Sequence, residues 1–372
     1  MKNYAKRKLK AQFLDDTGRK FAKFAEKYIE PYIPFRVGLT SAYEAEDYSS
    51  LLIYSACEEL SAEVCSEKLS MNKAIAPVGK SMLNQIKRLS MEELYAMRDN
   101  MLYGIYHAAR HLGLFRRSVC IAIDVHPIMF YGDKNSPMIR GTKPKNGTCW
   151  AYEYICLDIV ECGQRFTLAF FPVGKLDDQN KLVENLAKIA LEWLKIDLLL
   201  MDREFPSVDI VNMLKRKRVR FIMPSKDTET VKDLKNKHRR EVPLVVPYRI
   251  ESGNEYADVN LALVKDDDEI HGYITNTKIF PETAAEYYDK RWGIETDNRV
   301  MEQFRAMTTS TDYKVRFMHV LMAVAMRNLW VLANLVVSVQ VYGKPTEPII
   351  KVEIMKEALR IQTIQKLCRT AR

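Results

Sequence analysis

Three acidic side chains lie at positions where carboxylates could do chemistry. Asp124 lies near the end of an apolar, β-rich segment, residues 119–125, and Asp202 directly follows another, residues 198–201. A carboxylate at the end of a buried strand is costly unless it is paired or binds a metal ion. Because α/β sheets gather their functional residues at the carboxyl ends of strands, we expect these two acids to converge. Glu295 lies midway along a predicted helix further on.

Carboxylates of this kind suit a hard divalent cation. Mg²⁺ takes oxygen ligands, and two such ions about 3.5–4 Å apart would activate an attacking oxygen and stabilise a leaving one in phosphoryl transfer. Each acid also has a purely structural interpretation. Asp124 could cap its strand, and Asp202 could pair with the adjacent Arg203. Glu295 could pair with Arg299 one helical turn later.

The hydrophobic pattern predicts the elements that would position the acids. Apolar, β-rich segments predict strands at residues 119–125, 151–160, 166–173, 198–201 and 219–223. Amphipathic segments predict helices at residues 179–194 and 207–217 between them, and a long helix from Pro281 to about Met307. The charged stretch of residues 226–275 has further strand signals and is interpreted as a β-rich insertion. The pattern favours an α+β fold with a mixed sheet.

The chain before the first strand is predicted to be helical. Residues 41–114 contain several short amphipathic segments that predict helices. Ser61 is a plausible N-cap of one, and Pro77 a plausible start of another. Three compact helices with a basic last one are typical of a helix-turn-helix, but any small helical bundle has the same pattern. A role in reading DNA therefore stays open at this point.

Charge is concentrated in two places. The 372-residue chain has a formal net charge of +9, yet residues 1–40 hold ten basic and four acidic residues, and residues 215–240 hold eleven and three. The rest of the chain is thus net acidic. Clustered cations favour a phosphate-backbone partner, because each neutralised phosphate releases counterions. A solvated protein surface would show the same runs, so charge alone does not decide between the two.

Several classes of protein are excluded by composition and motif. With 28% charged residues, 14 Gly and 14 Pro, the chain is neither collagen-like nor of low complexity. Its seven cysteines form no C-x-x-C pair, which indicates reduced thiols in a cytosolic compartment. The most apolar stretch, residues 317–341, contains Arg327 and predicts a buried core helix, so no membrane association is expected. Neither a nucleotide-binding glycine loop nor a serine nucleophile elbow is present.

A family resemblance emerges from the spacing around the third acid. Tyr288, Arg291 and Glu295 match the Y-x2-R-x3-E part of the YREK signature found in one branch of the DDE transposases of bacterial and archaeal insertion sequences. The residues at 202–205, Asp-Arg-Glu-Phe, resemble the second-acid motif of that branch, and Asp124 after its strand resembles the first. Residues 308–310 and 327–330 are also similar to members of this group, so the resemblance covers about residues 116–340.

The resemblance implies a ribonuclease-H-like catalytic core, a mixed sheet flanked by helices. The expected organisation is a helical DNA-binding region at residues 1–115, the first part of the core at 116–225 and a β-rich insertion at 226–275 before the third acid. The second part of the core follows at residues 276–340, and a C-terminal helix occupies residues 341–372.

The implied activity is cut-and-paste transposition. Asp124, Asp202 and Glu295 would bind two Mg²⁺ ions, which Mn²⁺ is expected to replace, for endonuclease cleavage at the inverted repeats of an insertion sequence and strand transfer to target DNA. Tyr288 and Arg291 would contact the phosphate backbone. A homodimer on double-stranded DNA and a cytoplasmic, nucleoid-associated location in a prokaryote are expected by analogy.

The sequence departs from the signature at one position. The signature has Lys seven residues after the Glu, and here that residue is Glu302. Helical spacing allows Arg299, or Arg305 one turn beyond Glu302, to supply the missing cation. Two alternatives stay open: an inactive remnant that only binds DNA, and a structure-selective ribonuclease-H-like nuclease that cuts without strand transfer.

Overall fold

The structure, a computed structural model, describes residues 19–20, 23–161, 164–289, 300–344, 346 and 348–369. Two compact units divide the chain: one of Met1–Leu114 with Thr296–Arg372, and one of Phe115–Glu295. The longer helices among the described residues are α1 Ala45–Glu58, α2 Ala62–Met71, α3 Gly79–Arg88, α4 Met91–His111, α5 Gln179–Trp193, α6 Val208–Arg216, α7 Glu229–Lys237, α8 Pro281–Asp289, α9 Tyr313–Tyr342 and α10 Val352–Arg369. Residues 23–28 and 300–302 are also helical.

The second unit is built on a mixed sheet of nine strands. These are β1 Val119–Met129, β2 Ile139–Lys145, β3 Thr148–Glu161, β4 Gln164–Val173, β5 Ile196–Met201, β6 Phe221–Pro224, β7 Leu244–Ser252, β8 Glu255–Asp266 and β9 Glu269–Thr275. Their order is β2-β3-β1-β5-β6-β9-β8-β7, with β4 also paired to β3. β1, β5 and β6 run parallel, and the other pairings are antiparallel.

Local sequence explains why the crossovers between the parallel strands are helical. Asp178 caps α5 by accepting a hydrogen bond from the backbone N–H of Asn180 at 2.9 Å, and α5 buries one apolar stripe that includes Val183 and Leu186. Ser207 caps α6 in the same way through the N–H of Ile210. These caps begin each helix at the point where the chain must leave the sheet and return to start a parallel strand.

The fold class is confirmed. An α+β chain with a mixed sheet flanked by helices and an N-terminal helical region is observed, and the arrangement is consistent with a ribonuclease-H-like core. The β-rich insertion is present as β7, β8 and β9, which extend the same sheet beyond β6. The insertion also contains a helix, α7, that the sequence pattern did not predict.

One predicted element is wrong at its end. The helix expected from Pro281 to about Met307 does not continue that far, because residues 305–312 have no helical structure and Met307 is exposed. The side chain of Asp312 accepts a hydrogen bond from the N–H of Lys314 and caps the next helix, α9. An extended segment, residues 305–312, therefore separates the helical residues 300–302 from α9.

The first unit is helical in its described residues. Ser61 caps α2 as predicted, and Ser90 with Glu93 forms a reciprocal capping box at the start of α4. α9 is long and apolar enough to cross a membrane, but 94% of its most apolar window is buried inside the protein. Its hydropathy therefore reflects packing in a helical core, as the sequence pattern indicated.

Candidate active site

Asp124 and Asp202 occupy matching positions on neighbouring parallel strands. The register of β1 against β5 pairs Ile123 with Met201, so each acid is the next residue along its chain. Neighbouring strands lie about 4.8 Å apart, which brings the two backbones close together. Both side chains are partly buried. Asp202 directly follows β5, but Asp124 lies within β1, which continues to Met129, so the prediction that Asp124 ends its strand is wrong. The two predicted acids that the structure describes nevertheless lie on adjacent backbones.

Both acids face the side of the sheet that α8 covers. Side chains alternate along a strand, so Asp124 shares a face with Ala122, and Asp202 shares it with Leu200. Ala122 and Leu200 belong to one buried apolar cluster that also contains Tyr288 of α8. The acids thus continue this apolar face, Asp202 just after β5 and Asp124 within β1.

The carboxylate of Asp202 is oriented by two donors. The backbone N–H of Arg203 donates to Asp202 Oδ1 at 2.7 Å, and the hydroxyl of Tyr288 lies 3.4 Å from the same oxygen. The N–H of Phe205 donates to the carbonyl of Asp202 at 3.1 Å, and the Phe205 side chain is 2% exposed. The turn after β5 is therefore anchored in the core, and it holds Asp202 in one direction.

Tyr288 lies in the core. It is 6% exposed, and its ring centroid lies 5.4 Å from that of Tyr273 on β9. Burial in turn raises the pKa of Tyr273. Tyr288, predicted from the resemblance as a phosphate contact, is thus found with its ring packed against the sheet and its hydroxyl at an acid of the site.

Three of the predicted site residues lie outside the described residues: Arg291, Glu295 and Arg299. Within the described ranges, no group of three or more His, Cys, Asp or Glu side chains is arranged to hold a metal ion. Tyr288 lies seven residues before Glu295 in the sequence and is within the described part of the chain. It contacts Asp202.

Arg305 belongs to the helical unit and is engaged by Glu302. Its Nε and Nη2 donate to Glu302 Oε2 at 2.8 and 2.5 Å, and both side chains are about one third exposed. The residue that replaces the signature Lys is therefore paired with Arg305, one of the two arginines proposed to substitute for it. The Arg305 side chain thus stays partly exposed, but part of its charge is locally compensated.

The sequence interpretation gave no functional role to two residues near the acids, and it considered Arg203 only as a structural partner of Asp202. Arg203, which directly follows Asp202, is exposed, and its charge acts on Asp227 in the loop before α7. The Lys235 ammonium that donates to Asp227 at 2.5 Å, together with Lys232 and Arg203, lowers the pKa of Asp227. Arg203 could have been noticed beside the second-acid motif, but no sequence signal brings Asp227 to this edge of the sheet.

A polar groove elsewhere in the unit does not contain the acids. It lies between α5, α6 and the turn that joins β7 to β8, and its lining includes Lys181, Asp209, Arg216 and Tyr256. This groove is therefore not the place where the two acids meet.

Two similarities to known proteins agree with this geometry. Residues 172–329 match the family model described as transposase DDE domain, a range that includes Asp202 and Glu295 and begins after Asp124. The fold is similar to that of a piggyBac transposase solved by cryo-electron microscopy as a synaptic complex with hairpin DNA. That match has a TM-score of 0.62 and 12% sequence identity, and covers 96% of this chain and 81% of the other. No curated protein matches this chain.

Proposed function

We propose that this protein is a DNA transposase of the DDE type, which cleaves DNA at the ends of an insertion sequence and joins those ends to target DNA. The observation that carries the proposal is the proximity of Asp124 and Asp202, which directly follow the paired residues Ile123 and Met201 of two adjacent parallel strands. The match of residues 172–329 to the transposase DDE domain supports it. The fold shared with a transposase that was solved bound to hairpin DNA supports the same substrate class.

The chemistry of the donor set fits divalent metal ions. Asp124 and Asp202 present carboxylate oxygens from neighbouring strands, and the orientation of Asp202 is fixed by two donors. We propose Glu295 as the third ligand, on the chain that follows Tyr288. Two bound Mg²⁺ ions, or Mn²⁺ in their place, would supply activation of the attacking oxygen and stabilisation of the leaving oxygen.

The remaining predicted residues are proposed as phosphate contacts. Arg291 and Arg299 would neutralise the backbone beside the cleaved bond, and the exposed edge of Arg305 would add to them. The hydroxyl of Tyr288 would act on the DNA indirectly, because it contacts Asp202 and would help to position that carboxylate. We further propose that the protein cleaves at terminal inverted repeats and that the exposed 3′-hydroxyl then attacks the target DNA. It would act as a homodimer on DNA and would be cytoplasmic and nucleoid-associated.

A nicking assay tests the proposal. Duplexes taken from both flanks of the gene are labelled and incubated with the protein in Mg²⁺ or in EDTA, and nicking is expected only with Mg²⁺. Asp124→Asn, Asp202→Asn and Glu295→Gln should each lower the nicking rate by roughly a thousandfold, because each removes several kcal/mol of metal-assisted stabilisation. DNA binding should persist in all three variants.

Asp197→Asn is the matched control. Asp197 lies at the other end of β5, where it pairs with Arg220, so the substitution removes one carboxylate from the same strand without touching the site. It should nick DNA at the wild-type rate. Full nicking by the Asp202→Asn variant would refute the catalytic assignment.

A binding-only remnant is the second candidate, because the signature Lys is replaced by Glu302 and its neighbour Arg305 is paired to that glutamate. Such a protein would bind the end sequences and show no Mg²⁺-stimulated nicking. A structure-selective nuclease would nick but would not join ends to an added target duplex, so supplying target DNA in the same assay separates the third possibility.

A further inference from the structure

The basic run of residues 215–240 is divided between two opposite edges of the sheet. Arg220 directly precedes β6 and donates to the carbonyl of Asp197 at the start of β5, and Lys215 donates to the carbonyl of Asp258 at 2.8 Å. These cations lie at the amino ends of the parallel strands. The second half of the run follows the carboxyl end of β6, which is the edge where Asp202 lies.

The second half is held rigidly at that edge. The N–H of Ser225 donates to the carbonyl of Gly272 on β9 at 2.8 Å, and a Cβ at Gly272 would lie 2.6 Å from Ser225 Oγ, so the close approach requires glycine. Thr228 caps α7, and Val231 in the first turn of α7 is fully buried. The backbone of α7 therefore has a fixed position beside β6 and β9.

Exposed cations cover this segment. Lys226, Lys237, Arg239 and Arg240 are exposed and make no hydrogen bond or ion pair through their side chains in the part of the chain that the structure describes. Asp227, which binds Lys235, is close enough to Arg203 to sense its charge. Cations therefore lie on both segments that follow the carboxyl ends of β5 and β6: Arg203 after β5, and the exposed Lys and Arg side chains of residues 226–240 after β6, where they outnumber the acidic residues.

We infer that Arg203 and the exposed cations of residues 226–240, here called the α7 surface, bind the phosphate backbone of double-stranded DNA and hold the duplex against the edge that presents Asp124 and Asp202. The inference rests on the proposed function and adds the location of the DNA. Charge complementarity selects the partner, since a duplex is a polyanion that rewards each neutralised phosphate with counterion release. The acidic turn of residues 266–268 between β8 and β9 borders the surface on the side away from β5 and repels DNA there.

Matched charge removals test the inference. The triple variant Lys237→Ala, Arg239→Ala, Arg240→Ala removes three charges from the α7 surface, and Arg216→Ala, Lys217→Ala, Arg218→Ala removes three from the opposite edge. Binding of a fluorescein-labelled 30-base-pair duplex of arbitrary sequence is measured by anisotropy between 50 and 300 mM salt. The α7 variant should bind at least about tenfold more weakly at 0.1 M salt, with a salt slope reduced by up to about 2.7, while the control variant binds like the wild type.

A second measurement uses the unaltered protein. Lysine acetylation followed by mass spectrometry should show that the duplex protects Lys226, Lys232 and Lys237, while Lys195 and Lys217 at the opposite edge react equally with and without DNA. Equal reactivity of all five lysines, or equal affinity of the two triple variants, would overturn the inference while leaving Mg²⁺-dependent nicking intact. Absence of both binding and nicking in the wild type would instead refute the proposed function.

Discussion

At the scale of single residues, the contact between Tyr288 and Asp202 links the apolar core to the site. The Tyr288 ring packs in the buried cluster under α8, while its hydroxyl lies 3.4 Å from Asp202 Oδ1. Because the ring is 6% exposed, it cannot follow the carboxylate if the carboxylate moves. Tyr288 is therefore expected to act as a positioning residue that restricts the directions in which Asp202 presents its oxygens.

Tyr288→Phe isolates the hydroxyl from the ring. The ring stays packed, so the thermal stability should change little, but the nicking rate should fall by about tenfold and the Mg²⁺ concentration for half-maximal rate should rise by 10- to 100-fold, as for other residues that orient metal ligands. The dissociation constant for DNA in EDTA should be unchanged. Thermal melting measures the stability, the nicking rate against Mg²⁺ concentration gives the next two quantities, and anisotropy gives the dissociation constant.

Tyr273→Phe serves as the control for Tyr288→Phe. It removes the hydroxyl of the ring that packs against Tyr288, from a residue with no hydrogen bond to either acid among the described contacts. A purely structural role for Tyr288 would give the two variants the same Mg²⁺ dependence. That result would remove Tyr288 from the site.

At the scale of elements, β3 and β4 enclose a buried ion pair. Arg165 Nη2 lies 2.5 Å from Asp158 Oδ2, with side-chain exposures of 3% and 1%, and Thr167, directly opposite Asp158, donates to its other oxygen. β3 supports β1 through the pairs from Ile121 to Met129, a range that includes Asp124. The pair thus lies within the hairpin that backs one of the two acidic residues.

Asp158→Ala should destabilise the protein by about 3–5 kcal/mol, because it leaves the Arg165 guanidinium buried without its anion. The double variant Asp158→Leu, Arg165→Met should recover most of that loss, since an apolar pair avoids the desolvation of both charges. Urea unfolding followed by circular dichroism measures these changes.

The exposed cross-strand pair of Arg249 and Asp258 is the control for the buried pair. Its two residues lie opposite each other on β7 and β8, with side-chain exposures of 50% and 57%. Asp258→Ala should change stability far less than Asp158→Ala, since water solvates the remaining charge. Equal losses at the two pairs would mean that burial does not determine the effect.

The strands that carry or precede the acids were predictable because their hydrophobic pattern is unambiguous. Residues 119–123 of β1 and 198–201 of β5 are continuous apolar runs buried on both faces, a pattern typical of central strands in parallel pairing. β2 and α7 were missed for the opposite reason: β2 has one buried residue, Ile139, and α7 has one, Val231, so neither shows a hydrophobic period.

The residues of the candidate site were likewise predictable only where the signal is local in sequence. Asp124 and Asp202 could be found from the end of each apolar run, because that context is local in sequence. The approach of Asp227 to Arg203, and of Tyr288 to Asp202, depends on how distant segments pack, and no local pattern reports it.

At the scale of the whole molecule, one buried histidine makes stability depend on pH. His319 in α9 is 2% exposed, and neither ring nitrogen has a hydrogen-bond partner in the described ranges. Burial, with smaller contributions from the positive charges of Arg305 and Arg316, lowers the pKa of His319 to about 4. The folded protein therefore keeps this ring neutral at pH values where an unfolded chain protonates it.

The direction of the pH effect follows from linkage. The unfolded state has the ordinary histidine pKa of about 6.5, so between pH 6.5 and 4 it binds a proton that the folded state excludes, and the free energy of unfolding falls as pH falls. The full loss is about 3 kcal/mol, complete near pH 4, and above pH 6.5 His319 adds no pH dependence. His319→Leu should remove this part of the slope, while His238→Gln, an exchange at a histidine paired with Glu241, should leave it unchanged. Urea unfolding at pH 7, 6 and 5 gives the three slopes, and a His319→Leu slope equal to that of the wild type would show that another group governs the acid sensitivity.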